Sequence, residues 1–546
     1  MKKLKFNCGC EFSTEGGRII FNPDIEKLPI DCEKTWGLIS EGNTKGCFQL
    51  ESRLGQATAK QVGPNNIEEL SALIAIIRPG CKEAMVGGKS LTDHYIDRKH
   101  GRESVDYFHP KLEPILKNTY GILVYQEQSM KIAQVVAGFD LQEADILRKA
   151  IGKKKADVMA QVKKSFLSKA KTNGVVTKEQ AEEIFSWIEK SQRYSFNKSH
   201  SISYAINAYL SAYTKAHFTR EFFASYLFYS KEKQKPHEEI NELVNNAKLM
   251  DIDVCPPDIR KMNKNFSIFE DVVYFGLSDI KGVGGSVIDK IKSVSNDVRL
   301  EIGKDVCDWS WMESLSLFLD NINSTAVKAI ISVGCFSYLS SNRTKMLYEY
   351  EIYNKLTIKE KKWVTNKIKE SPAITMQEIL EALTNSPVGK KGGVANKKRL
   401  ITVNGILESM KTPPYKLEDT AEWISGVEED LLGIPITCTK VDSCSTENAN
   451  CSCKDFLKQS YSQNKYLMLA VQIDDIREIT IKNGKNRGSK MAFIAVSDSS
   501  CALDAVIFSD RWVKYKPVLF EGNTVMLHGN RDRDRNSLIV EKVWQI

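Results

Sequence analysis

The chain has 546 residues, 42% of them hydrophobic and 27% charged, with a formal net charge of +8 and 13 cysteines. At ~150 residues per domain this is a multidomain chain of three or four cores. No apolar run approaches the ~18 residues of a membrane span, and Met1-Lys2-Lys3-Leu4-Lys5-Phe6 leads into polar Asn7 rather than a signal-peptide core, so a cytoplasmic protein is expected. An odd number of thiols scattered among lysines reads as reduced cysteine and not as a disulfide framework. Basic runs at residues 98–100, 149–155, 390–399 and 482–490 suggest polyanion binding, although solvated lysine-rich faces explain any one run equally well.

Residues 1–35 carry Cys8-Gly9-Cys10, Gly16-Gly17 and Arg18-Ile19-Ile20-Phe21, the pattern of a short hairpin too small to fold alone and expected to dock on a partner. Cys8 and Cys10 could ligate a metal, but no second pair is near in sequence, so they read as structural. Residues 35–53 suggest a short helix, a glycine turn and a strand ending among Gln49, Glu51 and Arg53. Residues 67–77 predict an apolar helix capped by Asn66 and halted before Pro79, which leaves Arg78 exposed at a rigid corner. Arg98, Lys99, His100 and Arg102 crowd the next helix end, where cations are favoured. A further helix from near residue 141 ends at Gly152 as its C-cap. It carries Arg148 and Lys149 and spills into Lys153, Lys154 and Lys155, a cation set able to hold triphosphate oxygens; a solvated helix end is the plain alternative.

The densest stretch is 194–218. Asn197, Lys198, Ser199, His200 and Ser201 put donors, a fixed charge and a titratable ring directly before a helical pattern, an arrangement suited to a phosphate. Ser201 is expected to cap that helix, with Tyr209 and Tyr213 on its buried stripe and Lys215 and His217 elsewhere. The plain alternative is a polar loop of Asn and Ser turns.

Seven motifs in one order carry a resemblance: Cys47-Phe48-Gln49-Leu50-Glu51-Ser52, Arg78-Pro79-Gly80, residues 96–102, Tyr120-Gly121-Ile122, Tyr125-Gln126-Glu127-Gln128, Gly152-Lys153-Lys154-Lys155 and Phe196-Asn197-Lys198-Ser199-His200-Ser201. The series resembles the fingers region of the bacterial replicative DNA polymerase III alpha subunit, the C family of DNA polymerases. The resemblance implies that these basic residues line the site of the incoming nucleotide and the template-primer. Cys81 departs from it, standing where the family has a second proline, and the spacing on to Ile96 differs slightly. The family's palm aspartates and its phosphoesterase-like domain precede the point where this sequence starts. Asp251 and Asp253, Asp474 and Asp475, and Asp532 and Asp534 are paired acids, but each lies beyond the fingers-like stretch.

Farther on, Ile280-Lys281-Gly282-Val283-Gly284-Gly285-Ser286 resembles a helix-hairpin-helix, in which glycines let consecutive amides face one phosphate. Residues 321–336 resemble a second hairpin, followed by Arg343 and Lys345. Residues 348–461 read as a helical and linker region with a glycine- and lysine-rich loop at 386–398. There Gln377-Glu378-Ile379-Leu380 is the nearest approach to a sliding-clamp peptide, and an ordinary amphipathic helix is the preferred reading. Cys438, Cys444, Cys451 and Cys453 are enough for tetrahedral zinc, but their spacing lacks the usual knuckles and no zinc is expected there. Alternation from 466 to 546 predicts five strands of an oligonucleotide-binding (OB) barrel, with Lys482, Lys485, Arg487 and Lys490 on its hairpin loop as DNA contacts.

The resulting expectation is an α+β multidomain protein: an N-terminal partner-docking segment at 1–35, fingers at 36–230, tandem helix-hairpin-helix at 231–347, a helical linker at 348–461 and the barrel at 462–546. Nucleotide phosphates are assigned to Arg78, Arg98, Lys99, His100, Arg148, Lys149, Lys153, Lys154, Asn197, Lys198, Ser199 and His200. DNA is assigned to Lys281, Gly282, Gly284, Gly285 and the barrel loop. The reading is the C-terminal portion of a split polymerase, inactive alone, with no catalytic residue of its own. Mg2+ would be held by a palm-bearing partner chain. The rival reading is a non-catalytic DNA-binding accessory protein of the same descent.

Overall fold

The computed structural model describes residues 2–15, 18–21, 24–153, 156–191, 193–386, 394–459, 466–481, 486–532 and 536–546. Lys154, Lys482, Lys485 and Asp534 therefore lie outside the described residues, as does much of the 386–398 loop. The chain forms two compact units, Met1–Thr219 and Arg220–Ile546. Among the described residues no helix is long and apolar enough to cross a membrane.

The first unit opens with an antiparallel sheet, Lys2–Lys5, Glu11–Glu15 and Arg18–Ile20 in that order. Phe12 and Phe21 pack against Phe218, with ring centroids 5.0 and 5.1 Å away, and Phe6 packs against His217 at 5.5 Å. The hairpin exists, and its aromatic face is covered by its own chain.

Helix Ile67–Ile76 is buried almost all round from Glu69 on, as its largely apolar second half requires. Asn66 caps it, Oδ1 accepting the Glu69 N–H at 2.9 Å. It packs against helix Lys198–His217, whose Ala205, Ala208 and Ala212 are fully buried and allow close approach. Helices Gln126–Ala137, Leu141–Lys153, Ala156–Asn173 and Lys178–Ser191 enclose a separate core that includes Ile132, Leu147, Phe166 and Phe185.

Two expectations about residues 194–218 change. Asn197 caps the helix, its Oδ1 accepting the His200 N–H at 2.8 Å, while Ser201 lies inside the first turn and donates to the Ser71 carbonyl at 2.7 Å. Lys215 and His217 do not face solvent. Lys215 is fully buried, donating to the carbonyls of Asn43 and Lys45 at 2.8 Å each, and burial pulls its pKa down to about 8.

In the second unit one continuous core runs from Phe223 to Ile436. It joins the hairpin helices Gly285–Ile302 and Ser324–Ser332 to Arg343–Asn354, Ile358–Glu370, Met376–Thr384, Lys397–Lys411 and Ala421–Leu432. Much of the presumed linker is thus a packed part of the hairpin core. Ile379 and Leu380 are fully buried in it, so the folded chain cannot offer them to a clamp.

Strands Leu467–Thr480, Lys490–Ser497, Ala502–Ile507, Thr524–Arg531 and Ser537–Gln545 close a five-stranded, OB-like barrel. Ala492, Ile494 and Val496 point inward while the residues between them point out, the period of two that the sequence displays. The four clustered cysteines go separate ways. Cys451 and Cys453 belong to the barrel core, the Cys438 thiol donates to the Ala421 carbonyl at 3.5 Å, and the Cys444 thiol meets Thr524 Oγ1 at 3.4 Å.

Candidate functional site

Three of the quoted motifs meet at an open cleft of ≈ 220 Å³ in the first unit, lined by Arg78, Gly80, Gln126, Ile151, Gly152, Arg193, Tyr194 and Ser195. A backbone rung builds it. The Phe196 N–H donates to the Val124 carbonyl and the Gln126 N–H to the Phe196 carbonyl, both at 2.9 Å, so the 125–128 and 196–201 motifs are held side by side. Gly80 allows the close approach of the next wall, because a Cβ there would lie 3.0 Å from the Arg193 carbonyl oxygen. Pro79 starts the short helix Pro79–Glu83 with Arg78 at its cap position. Cys81, in place of a second proline, does not loosen the corner: it is packed away, and burial pushes its thiol up to about 12.

Two arginines edge this cleft. The Arg78 guanidinium lies 3.8 Å from the Phe196 ring centroid, a cation–π contact that orients the plane and leaves N–H edges for an anion. Arg193 is exposed, and neither arginine has a carboxylate partner among the described residues. From Phe196 an aromatic stripe continues along the surface. His200 lies 5.5 Å from Phe196 and 4.1 Å from Tyr204, which lies 5.1 Å from Phe48. Phe48 is 40% exposed, so the stripe offers flat faces to a base.

Most of the other expected phosphate ligands among the described residues have partners elsewhere. Arg98 donates to Glu103 at 2.7 Å and to the Tyr120 carbonyl at 3.2 Å. Lys99 forms a buried pair with Glu69 at 2.6 Å, and His100 contacts the Gln61 carbonyl at 2.9 Å. Burial opposes ionisation of Glu69, yet hydrogen bonds from Lys99 and Tyr120 hold its carboxyl below the usual range. Arg148 and Lys149 both pair with Asp145, at 2.8 Å. Lys198 pairs with Glu68 at 3.0 Å, and its N–H and the Asn197 amide donate to the two oxygens of Glu127. The start of this helix therefore already holds a carboxylate. Ser199 is exposed, its carbonyl accepting the Ser203 hydroxyl at 3.0 Å. Lys153 ends helix Leu141–Lys153 beside Gly152. Of the assigned positions whose side chains are described, Arg78 is the one that the structure sets on the cleft wall.

In the second unit Gly282 has φ +89°, and Gly284 precedes helix Gly285–Ile302 with no side chain capping it. A Cβ on Gly284 or Gly285 would meet nothing within 4 Å, so this helix start is open on its outer side. Lys281 is exposed there while its N–H is anchored to the Leu431 carbonyl at 2.8 Å. The second hairpin differs, since Asn323 Oδ1 caps helix Ser324–Ser332 through the Ala326 N–H at 2.9 Å. On the barrel Arg487 is exposed without an ion-pair partner among the described residues. Lys490 instead joins Lys516 and Trp512 on Glu478, and these hydrogen bonds, that of Lys490 foremost, pull the Glu478 carboxyl down to about 2. Tyr466, His528 and Trp544 form an aromatic run on the barrel wall, with centroids 5.0 and 6.3 Å apart; Tyr466 and Trp544 are 68% and 45% exposed.

Comparison with known proteins shows what this arrangement is similar to. Residues 14–174 match the bacterial DNA polymerase III alpha subunit finger domain, and residues 251–346 match a helix-hairpin-helix motif. The DNA polymerase III subunit alpha of Aquifex aeolicus (strain VF5) is 32% identical over 514 residues, which cover 93% of this chain and 38% of that protein. Its counterpart in Borreliella burgdorferi is 31% identical over 539 residues (96% and 42%), and that of Staphylococcus aureus (strain Mu50) is 30% identical over 533 residues (96% and 43%). Over nearly its whole length the chain is thus similar to part of bacterial DNA polymerase III alpha subunits. It spans 38–43% of the length of these relatives.

Two members of the acidic pairs have structural partners: Asp251 is held by Lys454 and Lys458 at 2.7 Å each, and Asp474 accepts the Ser497 hydroxyl at 2.9 Å. Among the described residues no three carboxylates gather, so these residues do not fit a catalytic Mg2+ pair. Sequence reasoning missed Arg193 and the two aromatic runs as site features. An arginine between a turn and a tyrosine carries no signal of its own, and the rings meet only in three dimensions.

Proposed function

We propose that this chain is the fingers-to-barrel portion of a C-family DNA polymerase, binding the incoming dNTP and the template-primer while a separate chain supplies the palm and its Mg2+-binding carboxylates. The observation that carries this reading is the cleft where three of the motifs converge on two arginines without carboxylate partners among the described residues. A triphosphate needs charge-assisted donors in fixed places, and a stacked guanidinium beside an exposed one offers them, with Gly80 and Gly152 letting the ligand come close to backbone. The aromatic stripe from Phe196 to Phe48 supports a base or sugar next to those phosphates. The open start of helix Gly285–Ile302 and the barrel suit backbone contacts that ignore sequence.

The test is dNTP binding to the chain in complex with primer-template. Arg78→Ala and Arg193→Ala are each expected to weaken dNTP binding roughly 10- to 100-fold, the loss of a charged hydrogen bond of ~1.5–3 kcal/mol. DNA affinity should change far less. Equal losses for dNTP and DNA would mean that these arginines hold duplex backbone. No effect of dNTP on the unsubstituted complex would favour the accessory-protein reading.

The barrel makes a separate expectation. Trp544→Ala and Tyr466→Ala should each weaken single-stranded DNA binding roughly tenfold, as stacking is worth ~1–3 kcal/mol per base. Affinity should also fall with salt, by a log-log slope of about 0.7 per phosphate engaged on single strands. Salt-independent binding, unchanged by both substitutions, would remove the barrel from the DNA path.

A further inference from the structure

Outside the cleft the first unit gathers four metal-type donors from three distant places in the sequence. Cys8 and Cys10 lie on the turn between the first two strands, Cys32 lies just before helix Glu33–Ser40, and His217 is the last residue of helix Lys198–His217. Their ligand atoms all lie within 4.8 Å of one another. Cys32 Sγ is 3.3 Å and Cys8 Sγ 3.8 Å from His217 Nε2. A tetrahedron with bonds of ~2.0–2.3 Å has edges of ~3.3–3.8 Å, so a small adjustment brings the set onto one ion.

The surroundings suit that use. Gly9, at φ +87°, makes a tight turn closed by the Phe6 N–H to Cys10 carbonyl bond and the Gly9 N–H to Phe6 carbonyl bond, both 2.9 Å. This turn places the two thiols on one side. The backbone at Cys32 is fixed by its N–H donating to Tyr209 Oη at 3.2 Å, and that hydroxyl donates to the Pro29 carbonyl at 2.7 Å. The His217 ring is wedged by Phe6, Phe12 and Tyr213, at 5.5, 5.5 and 4.4 Å, and its Nδ1 has no hydrogen-bond partner among the described residues. Packing therefore aims Nε2 at the thiols.

We propose that Cys8, Cys10, Cys32 and His217 form a closed tetrahedral zinc site that pins the N-terminal sheet to the end of the Lys198–His217 helix. Three thiolates and an imidazole select a borderline-soft dication over Mg2+. Loading releases the three thiol protons and leaves the centre with one net negative charge, and Lys5 and Lys34 carry the opposite sign on the opening that Cys8 lines. An opening of ≈ 310 Å³ lined by Leu4, Lys5, Phe6, Asn7, Cys8 and Lys34 gives the ion a way in. With four protein donors no position remains for substrate, so the role is structural.

The experiment is metal analysis of the untagged full chain purified without added zinc. About one zinc per chain is expected, falling several-fold or more in Cys8→Ser and in Cys32→Ser but retained in Cys438→Ser and Cys444→Ser. Should the first two variants fail to fold, Co2+ exchanged into the unsubstituted chain reads the site directly, through the thiolate charge-transfer and tetrahedral d–d bands that three sulfur ligands produce. Substoichiometric zinc, Co2+ spectra without thiolate bands, zinc unchanged in both Cys8→Ser and Cys32→Ser, or the mass deficit of a disulfide among these cysteines would each overturn the proposal.

Discussion

Primer extension by residues 1–546 alone is expected to be undetectable, at least ~1000-fold below that of the same chain mixed with a palm-bearing polypeptide, a gap of about 4 kcal/mol in barrier. Nucleotidyl transfer of the two-metal kind needs carboxylates that hold both ions against the attacking and departing oxygens. Glu127, next in sequence to the cleft-lining Gln126, is already engaged by the Asn197 amide and the Lys198 N–H, and Glu68 by Lys198. Asp474 sits in the wrong unit, and burial pushes its carboxyl up to about 6, which weakens it further as a ligand. What the cleft can contribute is charge and position. Restored synthesis should therefore depend on the partner's aspartates and, in this chain, on Arg78 and Arg193. Extension by the highly purified chain alone, abolished by a substitution within this sequence, would falsify the assignment of the metal ligands to another chain.

The second large effect lies at Arg343. Its guanidinium donates to Glu428 at 2.8 Å, to the Ser332 carbonyl at 3.1 Å and to Thr437 Oγ1 at 3.0 Å. The Glu428 carboxylate, fully buried, also accepts the N–H groups of Ile436 and Thr437 at 2.7 and 2.8 Å. Removing one partner of such a pair strands a charge in a dry core, at a cost of about 3–5 kcal/mol. Arg343→Met should lower the unfolding temperature of the second unit by roughly 5–10 °C. Adding Glu428→Gln should recover part of that loss, because the stranded charge is then gone. A single substitution that leaves thermal unfolding unchanged would mean that water reaches Glu428. This arginine, which follows the second hairpin and invites assignment to DNA, ties the hairpin core to the helices after it.

Features encoded over a few residues were legible in the sequence. The Asn66 cap, the glycines at 282, 284 and 285 and the alternation of the barrel strands each act over one turn or one pleat, so local pattern and structure agree. Long-range partners were not legible. Lys99 reads as a free cation until Glu69 arrives from another helix, and Lys215 reads as exposed until the carbonyls of Asn43 and Lys45 close over it. The pairs of Asp145 with Arg148 and Lys149 were within reach of sequence reasoning, since three- and four-residue spacings place them on one helix face. Weight given to the run of positive charge hid the carboxylate inside it. The Cys8, Cys10, Cys32 and His217 cluster was hidden for the opposite reason, because no spacing rule joins donors so far apart.

That separation has a consequence for how the chain is made. Cys8 and His217 lie 209 positions apart. The aromatic side chains of Phe6, Phe12 and Phe21 find their cover only when Tyr213, His217 and Phe218 have been added. At ribosomal rates of ~5–20 residues per second the interval is roughly 10–40 s, far longer than the microseconds in which a lone hairpin forms and falls apart. During synthesis this aromatic hairpin is therefore a sticky segment without a docking face, and the first unit closes only as its last helix emerges.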